Sequence, residues 1–338
     1  MTDTDKPRVL PELPQLDGFT FRPFRGPSDF APMAAVITAS GAADNVVRGD
    51  TAETLASDYA HLFHSDPYQD MLFAEMDGQV VAFNRCWWSQ EENGPLLYKH
   101  IGYSHPASRG RGLGRTALHW MEARLRQIAV GHAAEGERFF QAFAADSEKA
   151  RLALLHSAGY TQVRYGFDMN RPLSEPVEVT PLPPGLEVRP VQPEHYRAIF
   201  DAGVEAFRDH WGYVAPDEGS FASWQAHLSF QPHLWQVAWN IANNEVAGMV
   251  QNFVNEPENQ RYNRRRGYTE GISVRRPYRR LGLARALLTR SLKQFQSAGF
   301  TEAALGVDAE NPTGALRLYE SVGFIVEQRG AVYRKPLR

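Results

Sequence analysis

The sequence predicts a mixed α/β protein in which one folding unit occurs twice. Three observations support this prediction. A short arginine- and glycine-rich segment that opens an apolar-periodic helix occurs at Arg109–Gly114 and again at Arg279–Ala284. Further matching segments flank both copies in the same order, and a proline-rich stretch separates them. With 338 residues, of which 43% are apolar, the chain is long enough for two domains that each bury a core.

Two additional pairs of segments set the extent of the repeat. Gly18–Pro23 matches Gly185–Pro190, and both alternate like a short first strand. Leu154–Tyr160 matches Leu318–Phe324, a helix end that is stopped by glycine and followed by an aromatic residue. The offsets between the copies are 167 (185 − 18), 170 (279 − 109) and 164 (318 − 154) residues. The order of the segments is therefore kept, with small insertions.

A proline-rich stretch marks the boundary between the copies. Residues 171–185 contain five prolines, a composition that favours an extended and fairly stiff connection. The first 17 residues are polar and hold three prolines, which predicts a flexible tail. The predicted organisation is a tail at residues 1–17, an N-terminal domain at 18–173, a linker at 174–184 and a C-terminal domain at 185–338.

Within each copy the pattern predicts a strand, one or two helices, three strands, the arginine loop with its helix, then a strand, a helix and closing strands. After the second loop, apolar residues recur at spacings of about three and four, which is typical of an amphipathic helix. A later helix is predicted over residues 312–322, with Asn311 as its N-cap and Pro312 in its first turn. In the second copy the predicted strands are Trp235–Trp239, Val246–Asn255, Gly267–Val274 and Ala303–Asp308.

Charge and cysteine content exclude several classes of function. The formal net charge of −3 argues against a general nucleic-acid binder, because such proteins need an excess of Lys and Arg. Cys86 is the only cysteine, so we expect no internal disulfide, thiolate zinc cluster or iron–sulfur site, and no metal. The sequence contains neither an apolar signal core nor a stretch of about 20 apolar residues. We therefore expect a cytoplasmic protein without membrane association.

The two arginine loops are predicted phosphate-binding sites. The first N–H groups of a helix and its dipole attract an anion when small residues let the backbone come close. Gly282 and Ala284 provide that access in the second copy, and Gly112 and Gly114 do so in the first. Positive charge comes from Arg279, Arg280 and Arg285 in the second copy and from Arg109, Arg111 and Arg115 in the first.

The order of the elements and both loops resemble the GNAT superfamily of acyl-CoA-dependent N-acetyltransferases, in a tandem arrangement similar to mycothiol synthase-type double-domain enzymes. The resemblance rests on the Arg-x-x-Gly-x-Gly/Ala loops, on Asn311, and on Tyr319 followed by Gly323 and Phe324. It covers nearly everything after the tail.

The resemblance implies that acetyl-CoA is the co-substrate. It implies a fourth strand whose backbone pairs with the pantetheine arm, and a loop and helix that hold the pyrophosphate. Matched by motif position, the implied cofactor-binding residues are Ile272, Ser273, Val274, Arg279, Arg280, Leu281, Gly282, Leu283, Ala284, Arg285 and Asn311, with Arg109, Gly110, Arg111, Gly112, Leu113, Gly114 and Arg115 in the first copy.

Glu270 is the candidate general base. An alkyl ammonium with a pKa near 10.4 is only about one part in 2,500 free amine at pH 7, a deficit of roughly 4.6 kcal/mol, so a base is useful. Glu270 lies four residues before Val274, and strand alternation places both on one face if no bulge intervenes. The resemblance assigns the oxyanion donor to the Val274 backbone N–H. The alternative for Glu270 is a solvated strand residue or half of an ion pair.

Tyr319 occupies the family position of the group that meets the departing thiolate. A tyrosine near pKa 10 is a weaker acid than a thiol near 8.5, so Tyr319 either protonates the thiolate or stabilises it by hydrogen bonding. The alternative is a helix tyrosine whose ring joins the core. Asn311 likewise either contacts the cofactor or is only an N-cap.

The first copy departs from this pattern where chemistry matters. Leu155 stands at the position of Tyr319, and Ser147 stands at that of Asn311. His100 falls opposite Glu270 and is either a base or a structural strand histidine. We predict that the first domain is catalytically degenerate and either binds a CoA-type ligand or supports the second domain.

Two further segments have open interpretations. Asp209–Tyr213 follows the first helix of the second copy and supplies the candidate substrate-binding residues His210, Trp211 and Tyr213. This segment either lines the acceptor pocket as a lid or fills space under a loop. A basic run at Arg261 and Arg264–Arg266 is either a solvated turn or a contact for an acidic acceptor or the CoA 3′-phosphate.

Two hypotheses about function follow. The first is an acetyl-CoA-dependent N-acetyltransferase in which the amine of a small molecule or aminoacyl compound attacks directly at the second domain. The alternative is a noncatalytic acyl-CoA sensor or scaffold. Glu270 and Tyr319 favour the enzyme, because a sensor needs neither. The expected partners are a small-molecule amine, without nucleic acid or membrane, and the chain is either a monomer with pseudo-dimeric domains or a homodimer.

Overall fold

The chain divides into two compact units in a computed structural model that describes residues 11–132, 136–311 and 314–338. Unit 1 comprises Met1–Val163 with Ala331–Arg338, and unit 2 comprises Arg164–Gly330. Both units mix helices with a sheet, as predicted. Among the described residues, no helix is both long and apolar enough to cross a membrane.

Unit 1 contains five strands that lie side by side in chain order. The first three neighbouring pairs are antiparallel, and the last pair is parallel. The strands are β1 (Thr20–Arg22), β2 (Met71–Met76), β3 (Gln79–Gln90), β4 (Leu96–Ser104) and β5 (Arg138–Ala145). The helices are α1 (Phe30–Asp44), α2 (Ala52–Tyr59), α3 (Pro67–Asp70), α4 (Leu113–Val130) and α5 (Lys149–Ser157).

Unit 2 repeats this arrangement. Five strands again follow chain order, with three antiparallel pairs and one final parallel pair. The four predicted strands are confirmed, and each begins and ends within one residue of its predicted bounds. The strands are β7 (Leu186–Val188), β8 (Gln236–Asn240), β9 (Val246–Val254), β10 (Arg266–Val274) and β11 (Glu302–Asp308). The helices are α6 (Tyr196–Phe207), α7 (Ser220–Ala226), α8 (Glu256–Arg261), α9 (Leu283–Ser297) and α10 (Ala315–Ser321).

Two long strands cross the division between the units, which differs from the predicted consecutive domains at 18–173 and 185–338. Strand β6 (Thr161–Pro172) enters unit 2 at Arg164 and runs antiparallel to β11. Strand β12 (Ile325–Pro336) leaves unit 2 after Gly330 and ends beside β5 in unit 1. An internal repeat identifies equivalent segments but does not specify which sheet a strand joins, so the pattern did not predict this crossing.

The predicted linker at 174–184 packs within unit 2. Leu173 and Val177 are buried in the core of that unit. The Thr180 backbone N–H donates to Thr289 Oγ1 of α9 at 3.0 Å, and Gln296 Nε2 of α9 donates to the Leu173 carbonyl at 2.9 Å. The proline-rich stretch is thus part of a domain surface. Of the predicted tail, residues 1–10 lie outside the described residues, and residues 11–17 form no helix or named strand.

The start of α10 differs from the predicted one. The helix begins at Ala315, after Gly314 in the left-handed conformation with φ 75°. The Gly314 N–H donates to the Asn311 carbonyl at 3.2 Å, so Asn311 opens a turn and is not the N-cap. Pro312 lies outside the described residues.

The core of unit 2 forms where the apolar stripe of α9 meets the sheet. Leu288, Leu292 and Phe295 recur at helical spacing and are fully buried in one cluster with Leu305 of β11. Gly267 on β10 lies under Phe295, and a Cβ at Gly267 would be 2.5 Å from the Phe295 ring. The predicted amphipathic helix therefore holds the arginine loop against β10 and β11.

In unit 1, the last strand completes a buried polar cluster around Glu122 of α4, which is 5% exposed. Lys335 Nζ donates to both Glu122 oxygens at 2.8 and 2.9 Å. The Tyr160 hydroxyl and the Arg126 guanidinium each donate to Glu122 at 3.1 Å. A buried carboxylate needs such partners, because its desolvation is costly. The end of β12 therefore stabilises unit 1, although the residues that precede it in the chain belong to unit 2.

Replacing Lys335 with Met should destabilise unit 1, because Glu122 then loses two charge-assisted hydrogen bonds while staying buried. We expect a loss of about 3 kcal/mol in the free energy of unfolding, measured by urea unfolding followed by circular dichroism. Lys293→Met is the matched control, because Lys293 is exposed and bonds only Gln296 at the surface. Equal stability of the two variants would contradict a stabilising role for β12.

Candidate active site

Unit 2 contains an opening in its sheet between β10 and β11. The parallel ladder between them runs from Arg266↔Glu302 to Tyr268↔Ala304. Within the described residues the ladder ends there, although β10 continues to Val274 and stays paired with β9 as far as Val274↔Gly248. The second half of β10 therefore presents one edge that pairs with no strand, which is where a ligand can pair.

A β-bulge in β10 marks this opening. The register with β9 shifts between Glu270 and Ser273, and Gly271 has φ 56°. A Cβ at Gly271 would be 2.7 Å from Gln251 Oε1, so the position requires glycine for both its conformation and its space.

The bulge overturns the expectation that Glu270 and Val274 share a face. Glu270 lies opposite Gln251, and Val274 lies opposite Gly248. Their partners are three residues apart on a regular strand, so the two side chains point to opposite faces. Val274 packs in the apolar cluster with Leu283 of α9. The extra residue thus turns the Glu270 carboxylate away from that helix.

Glu270 is placed in the opening by a hydrogen bond to β11. Its carboxylate accepts from the Gly306 backbone N–H at 3.0 Å. Desolvation raises the pKa of Glu270 to about 7, the Gly306 hydrogen bond opposes this, and the negative charge of Asp168 adds to it. The group therefore changes charge near neutral pH, as a general base requires.

Tyr319 lies close enough to Glu270 to sense its charge. The tyrosine is on α10, is 6% exposed, and packs in the core cluster with Leu288 and Phe324. Burial raises the pKa of Tyr319, and the negative charge of Glu270 raises it further. The ring is a core residue, and its hydroxyl belongs to the same electrostatic environment as the candidate base.

The Val274 backbone N–H points into the opening. The next residue, Arg275, donates its N–H to the Ala247 carbonyl of β9 at 3.0 Å. Successive N–H groups alternate sides along a strand, so the Val274 N–H points away from β9, and Ser273 directs its own toward β9. The Val274 carbonyl accepts from Arg279 Nε at 3.0 Å. Of the backbone donors predicted at 272–274, the Val274 N–H thus points toward the open edge of β10.

Both arginine loops form the helix start that was predicted. Gly282 has φ 84° and precedes α9, whose first helical bond runs from the Ala286 N–H to the Gly282 carbonyl at 3.1 Å. Gly112 has φ 86° and precedes α4, with the Thr116 N–H on the Gly112 carbonyl at 3.1 Å. Arg280 and Gly110 also have positive φ, at 63° and 75°. The backbone N–H groups that precede the first helical bond have no partner within the helix. They belong to Leu283, Ala284 and Arg285 in unit 2 and to Leu113, Gly114 and Arg115 in unit 1.

The first arginine of each loop has a positioning role that the sequence did not predict. Arg279 Nη1 pairs with Asp209 Oδ2 at 2.9 Å, and Arg276 pairs with the same carboxylate. Arg109 pairs with Asp44 at 2.7 and 2.8 Å in unit 1. Each guanidinium therefore holds its loop at the C-terminal end of the first long helix of its unit, α6 in unit 2 and α1 in unit 1. The two arginines lower the pKa of Asp209 well below its ordinary value.

The remaining loop side chains have varied surroundings. Arg285 Nη2 donates to Ser321 Oγ of α10 at 2.7 Å, and Arg111 lies over the Phe19 ring at 4.9 Å. Leu281 is 57% exposed. Leu283 and Leu113 are buried and anchor the first turns of their helices.

The predicted acceptor loop lies near the end of β11. Trp211 is 39% exposed and lies against Arg164, which pairs with Asp308 at 2.7 Å. Burial is the main cause that lowers the pKa of His210, whose N–H donates to the Phe207 carbonyl at 2.9 Å. Tyr213 donates its N–H to the His210 carbonyl at 3.3 Å. Both predicted interpretations, a lid and a space-filling loop, remain predictions.

Sequence reasoning missed Arg164 and Asp168. Both lie on β6, which the consecutive domain scheme assigned to the other domain. The basic run is solvated only in part: Arg261 and Arg265 are exposed, but Arg266 is buried and pairs with Glu302 at 2.8 Å and Glu327 at 3.0 Å. Arg264 pairs with Glu258. Side-chain pairing across a sheet is not visible in sequence spacing, so these arginines looked solvated.

In unit 1 the sheet register places Ile101, and not His100, at the position of Glu270. Because β10 has an extra residue, the pair Glu270↔Gln251 corresponds to Ile101↔Arg85. The prediction that matched His100 with Glu270 is therefore wrong.

His100 follows the end of the β4–β5 ladder at Lys99↔Gln141, and β4 pairs with β3 without a bulge. His100 Nε2 bonds the Tyr160 hydroxyl at 2.9 Å. Burial lowers the pKa of His100 to about 3, so the ring is neutral. The arrangement favours the structural role for His100.

Comparisons with known proteins agree with the duplication. A family model described as Acetyltransferase (GNAT) family matches residues 42–143 and 197–324. A protein of Thermobispora bispora named mycothiol acetyltransferase is 30% identical over 322 residues, which cover 91% of this chain and 97% of that protein. A protein of Streptomyces avermitilis with the same name is 30% identical over 240 residues, 68% of this chain and 69% of that protein.

Solved structures show the same fold. The crystal structure of a GCN5-related N-acetyltransferase from Sphaerobacter thermophilus matches with a TM-score of 0.74 and 28% identity, covering 98% of each chain. A tandem GNAT protein from the clavulanic acid biosynthesis pathway matches with a TM-score of 0.66 and 15% identity. It covers 94% of this chain and 98% of that chain, and shows the fold alone. The predicted tandem fold is confirmed.

Replacing Gly271 with Ala tests whether the bulge requires glycine. A left-handed alanine and its clash with Gln251 should lower the free energy of unfolding by about 1 to 2 kcal/mol, measured by thermal unfolding. Gly203→Ala is the control, because Gly203 lies on α6 with no atom within 4 Å of an added Cβ. That variant should be neutral or up to about 1 kcal/mol more stable. A neutral Gly271→Ala would show that the bulge tolerates a side chain.

Proposed function

Because the chain belongs to the GNAT acetyltransferase family, we propose that unit 2 transfers an acetyl group from acetyl-CoA to a primary amine of a small molecule or aminoacyl compound. The observation that supports this most directly is Glu270, a carboxyl group with a pKa of about 7 in the opening of the sheet. The orientation of the Val274 N–H and the effect of the Glu270 charge on Tyr319 are consistent with a shared site. The name of the relatives, mycothiol acetyltransferase, supports a small-molecule acceptor.

Acetyl-CoA would lie with its pyrophosphate at the start of α9 and its pantetheine arm along the open edge of β10. The N–H groups at the start of α9 and the helix dipole favour the anion. Arg279 keeps the loop in place through Asp209, so the loop does not have to order on binding. The family likeness and the open edge support this placement.

In the proposed reaction the amine nitrogen attacks the thioester carbonyl carbon directly. Glu270 accepts the proton that the nitrogen loses, and the Val274 N–H donates to the oxyanion. The carbon–sulfur bond then breaks, and the electron pair leaves with the CoA thiolate. The acetyl group ends on nitrogen, and no enzyme-bound acyl group forms.

Tyr319 would stabilise the thiolate mainly by donating a hydrogen bond. Burial and the charge of Glu270 raise the pKa of Tyr319 above its ordinary 10. A thiol has a pKa near 8.5, so full proton transfer from Tyr319 is uphill by more than about 2 kcal/mol. The surroundings of the tyrosine thus favour one of the two roles that the sequence left open.

The alternative, a noncatalytic role, is supported for unit 1 only. Leu155 stands where unit 2 has Tyr319, and it is buried. Ile101 stands at the sheet position of Glu270, and the neighbouring His100 is held neutral with its Nε2 bonded to Tyr160. Unit 1 has neither a thiolate partner nor a carboxylate base at these positions.

Glu270→Gln tests the base. For the wild type, kcat/KM for acetyl transfer to an amine panel should rise with pH through about 7, because the base acts only when deprotonated. The variant should lose this inflection and fall by about 100-fold at pH 8. The further rise caused by ionisation of the amine itself, near pH 10, should stay in both proteins. An unchanged inflection in the variant would show that another group is the base.

Tyr319→Phe tests the thiolate partner and keeps the ring in the core. We expect kcat to fall by about tenfold to 100-fold, the cost of one lost hydrogen bond of about 1.5 to 3 kcal/mol to a charged group. The KM for acetyl-CoA and the melting temperature should change little. Donors with a more acidic thiol, such as thiophenyl acetate, should lose less rate than acetyl-CoA, because their thiolates need less stabilisation. Wild-type turnover in both Tyr319→Phe and Glu270→Gln would contradict the mechanism.

A further inference from the structure

Unit 1 keeps an opening in its sheet, but an arginine occupies it. The β4–β5 ladder ends at Lys99↔Gln141, so the rest of β4 has a free edge as β10 does. A cavity of about 720 Å³ borders this edge and is lined by His100, Gly102 and Arg151, together with the loop that begins α4. Arg151 Nη1 of α5 donates to the Gly102 carbonyl at 2.9 Å.

The Gly102 carbonyl is the group that a pantetheine arm would need. The His105 N–H donates to the Val81 carbonyl of β3 at 2.7 Å, which makes this a hydrogen-bonded antiparallel pair. Gly102 lies three residues earlier, opposite Asn84, so its N–H and carbonyl point away from β3 and into the opening. By the 170-residue offset, Gly102 corresponds to Ile272 in the proposed cofactor edge of unit 2.

The side chain of Arg151 reaches across the opening from the helix to the strand. Its positive charge contributes to the lowered pKa of His100, although burial is the larger cause. Burial raises the pKa of Tyr103, and the charge of Arg151 partly opposes this increase. Arg151 therefore lies among the groups that line the inner part of the cavity. An arm bound along β4 would have to displace a charge-assisted hydrogen bond.

Unit 2 has no such side chain at the equivalent position. Counting back from Gly323 as from Gly159, Ala315 stands where unit 1 has Arg151, just as Tyr319 stands where unit 1 has Leu155. Ala315 is the first residue of α10, and its methyl group does not extend to the strand. The two copies thus differ at two of the positions through which α5 or α10 faces the opening.

We propose that Arg151 is a specificity-determining residue that excludes the pantetheine arm of acyl-CoA from unit 1, so that each chain takes one acyl-CoA, in unit 2. This inference rests on the proposed function of unit 2. The loop at the start of α4 is formed and held by Arg109, so the exclusion acts on the arm and not on the phosphate end. In unit 1 the Gly102 carbonyl on the β4 edge is bonded to Arg151. In unit 2 the corresponding edge of β10 is left to the co-substrate.

The experiment exchanges the two residues and counts binding sites by isothermal titration calorimetry with acetyl-CoA. The wild type should bind one equivalent per chain, Arg151→Ala two, and Ala315→Arg none. The double variant should bind one, now in unit 1. Arg151→Met, which keeps the length of the side chain without its donor, should behave like Arg151→Ala and covers the case in which one variant folds poorly. The new site should bind at least about tenfold tighter than any residual site in the wild type.

Two controls separate the arm from general charge effects. Lys149→Ala removes the same charge from an exposed position on the same helix and should leave one equivalent. The armless CoA fragment, 3′-phosphoadenosine diphosphate, should show the same stoichiometry with the wild type and with Arg151→Ala. A gain of a site for this fragment as well would overturn the proposal, because Arg151 would then act on the phosphate end.

The outcomes distinguish this proposal from the proposed function. Two equivalents for the wild type, or one for both Arg151 variants, would overturn the role of Arg151 and leave catalysis by unit 2 intact. No equivalent for the wild type but one for Arg151→Ala would overturn the proposed function of unit 2 and support the role of Arg151. No binding in any variant would overturn both.

Discussion

The arrangement of each unit depends on the point at which its two neighbouring parallel strands, β10 and β11 or β4 and β5, stop pairing. In unit 2 the β10–β11 ladder stops at Tyr268↔Ala304, and in unit 1 the β4–β5 ladder stops at Lys99↔Gln141. Backbone groups on an interior strand are costly when they have no partner. In unit 1 the Arg151 guanidinium bonds one of these groups, the Gly102 carbonyl. Unit 2 has alanine at the position equivalent to Arg151.

The parts of the repeat that stayed alike differ in kind from the parts that changed. Both loops start a helix after a left-handed glycine, and both are fastened by the same kind of ion pair, Arg109 with Asp44 and Arg279 with Asp209. These features fix the backbone at the start of each helix. The changes described above lie on β10, which has a bulge that β4 lacks, and on α5 or α10. The two copies thus share a backbone framework and differ in side chains beside the opening.

The sequence predicted the strands, both loops and the tandem fold, because these depend on local periodicity and on motifs that repeat. It did not predict the bulge at Gly271, since one extra residue leaves the apolar pattern of a short strand almost unchanged. It also missed the exchange of β6 and β12, and with it the contributions of Arg164 and Asp168 to the site. The positioning role of Arg279 depends on a carboxylate 70 residues away, which spacing cannot show.

Glu270 and His100 lie just beyond the ends of equivalent ladders, and burial gives them two kinds of chemistry. Desolvation acts on both, and it favours the neutral form of each. For the histidine, the neutral ring persists at all pH values above about 3, so nothing titrates near neutrality. For the carboxyl group, the pKa rises from an ordinary value near 4.5 to about 7. The folded state then holds an extra proton between these values, so its stability falls as the pH rises through that window and levels off above it. Unit 2 thus keeps, at the opening, a carboxyl group that destabilises the folded state when it is charged.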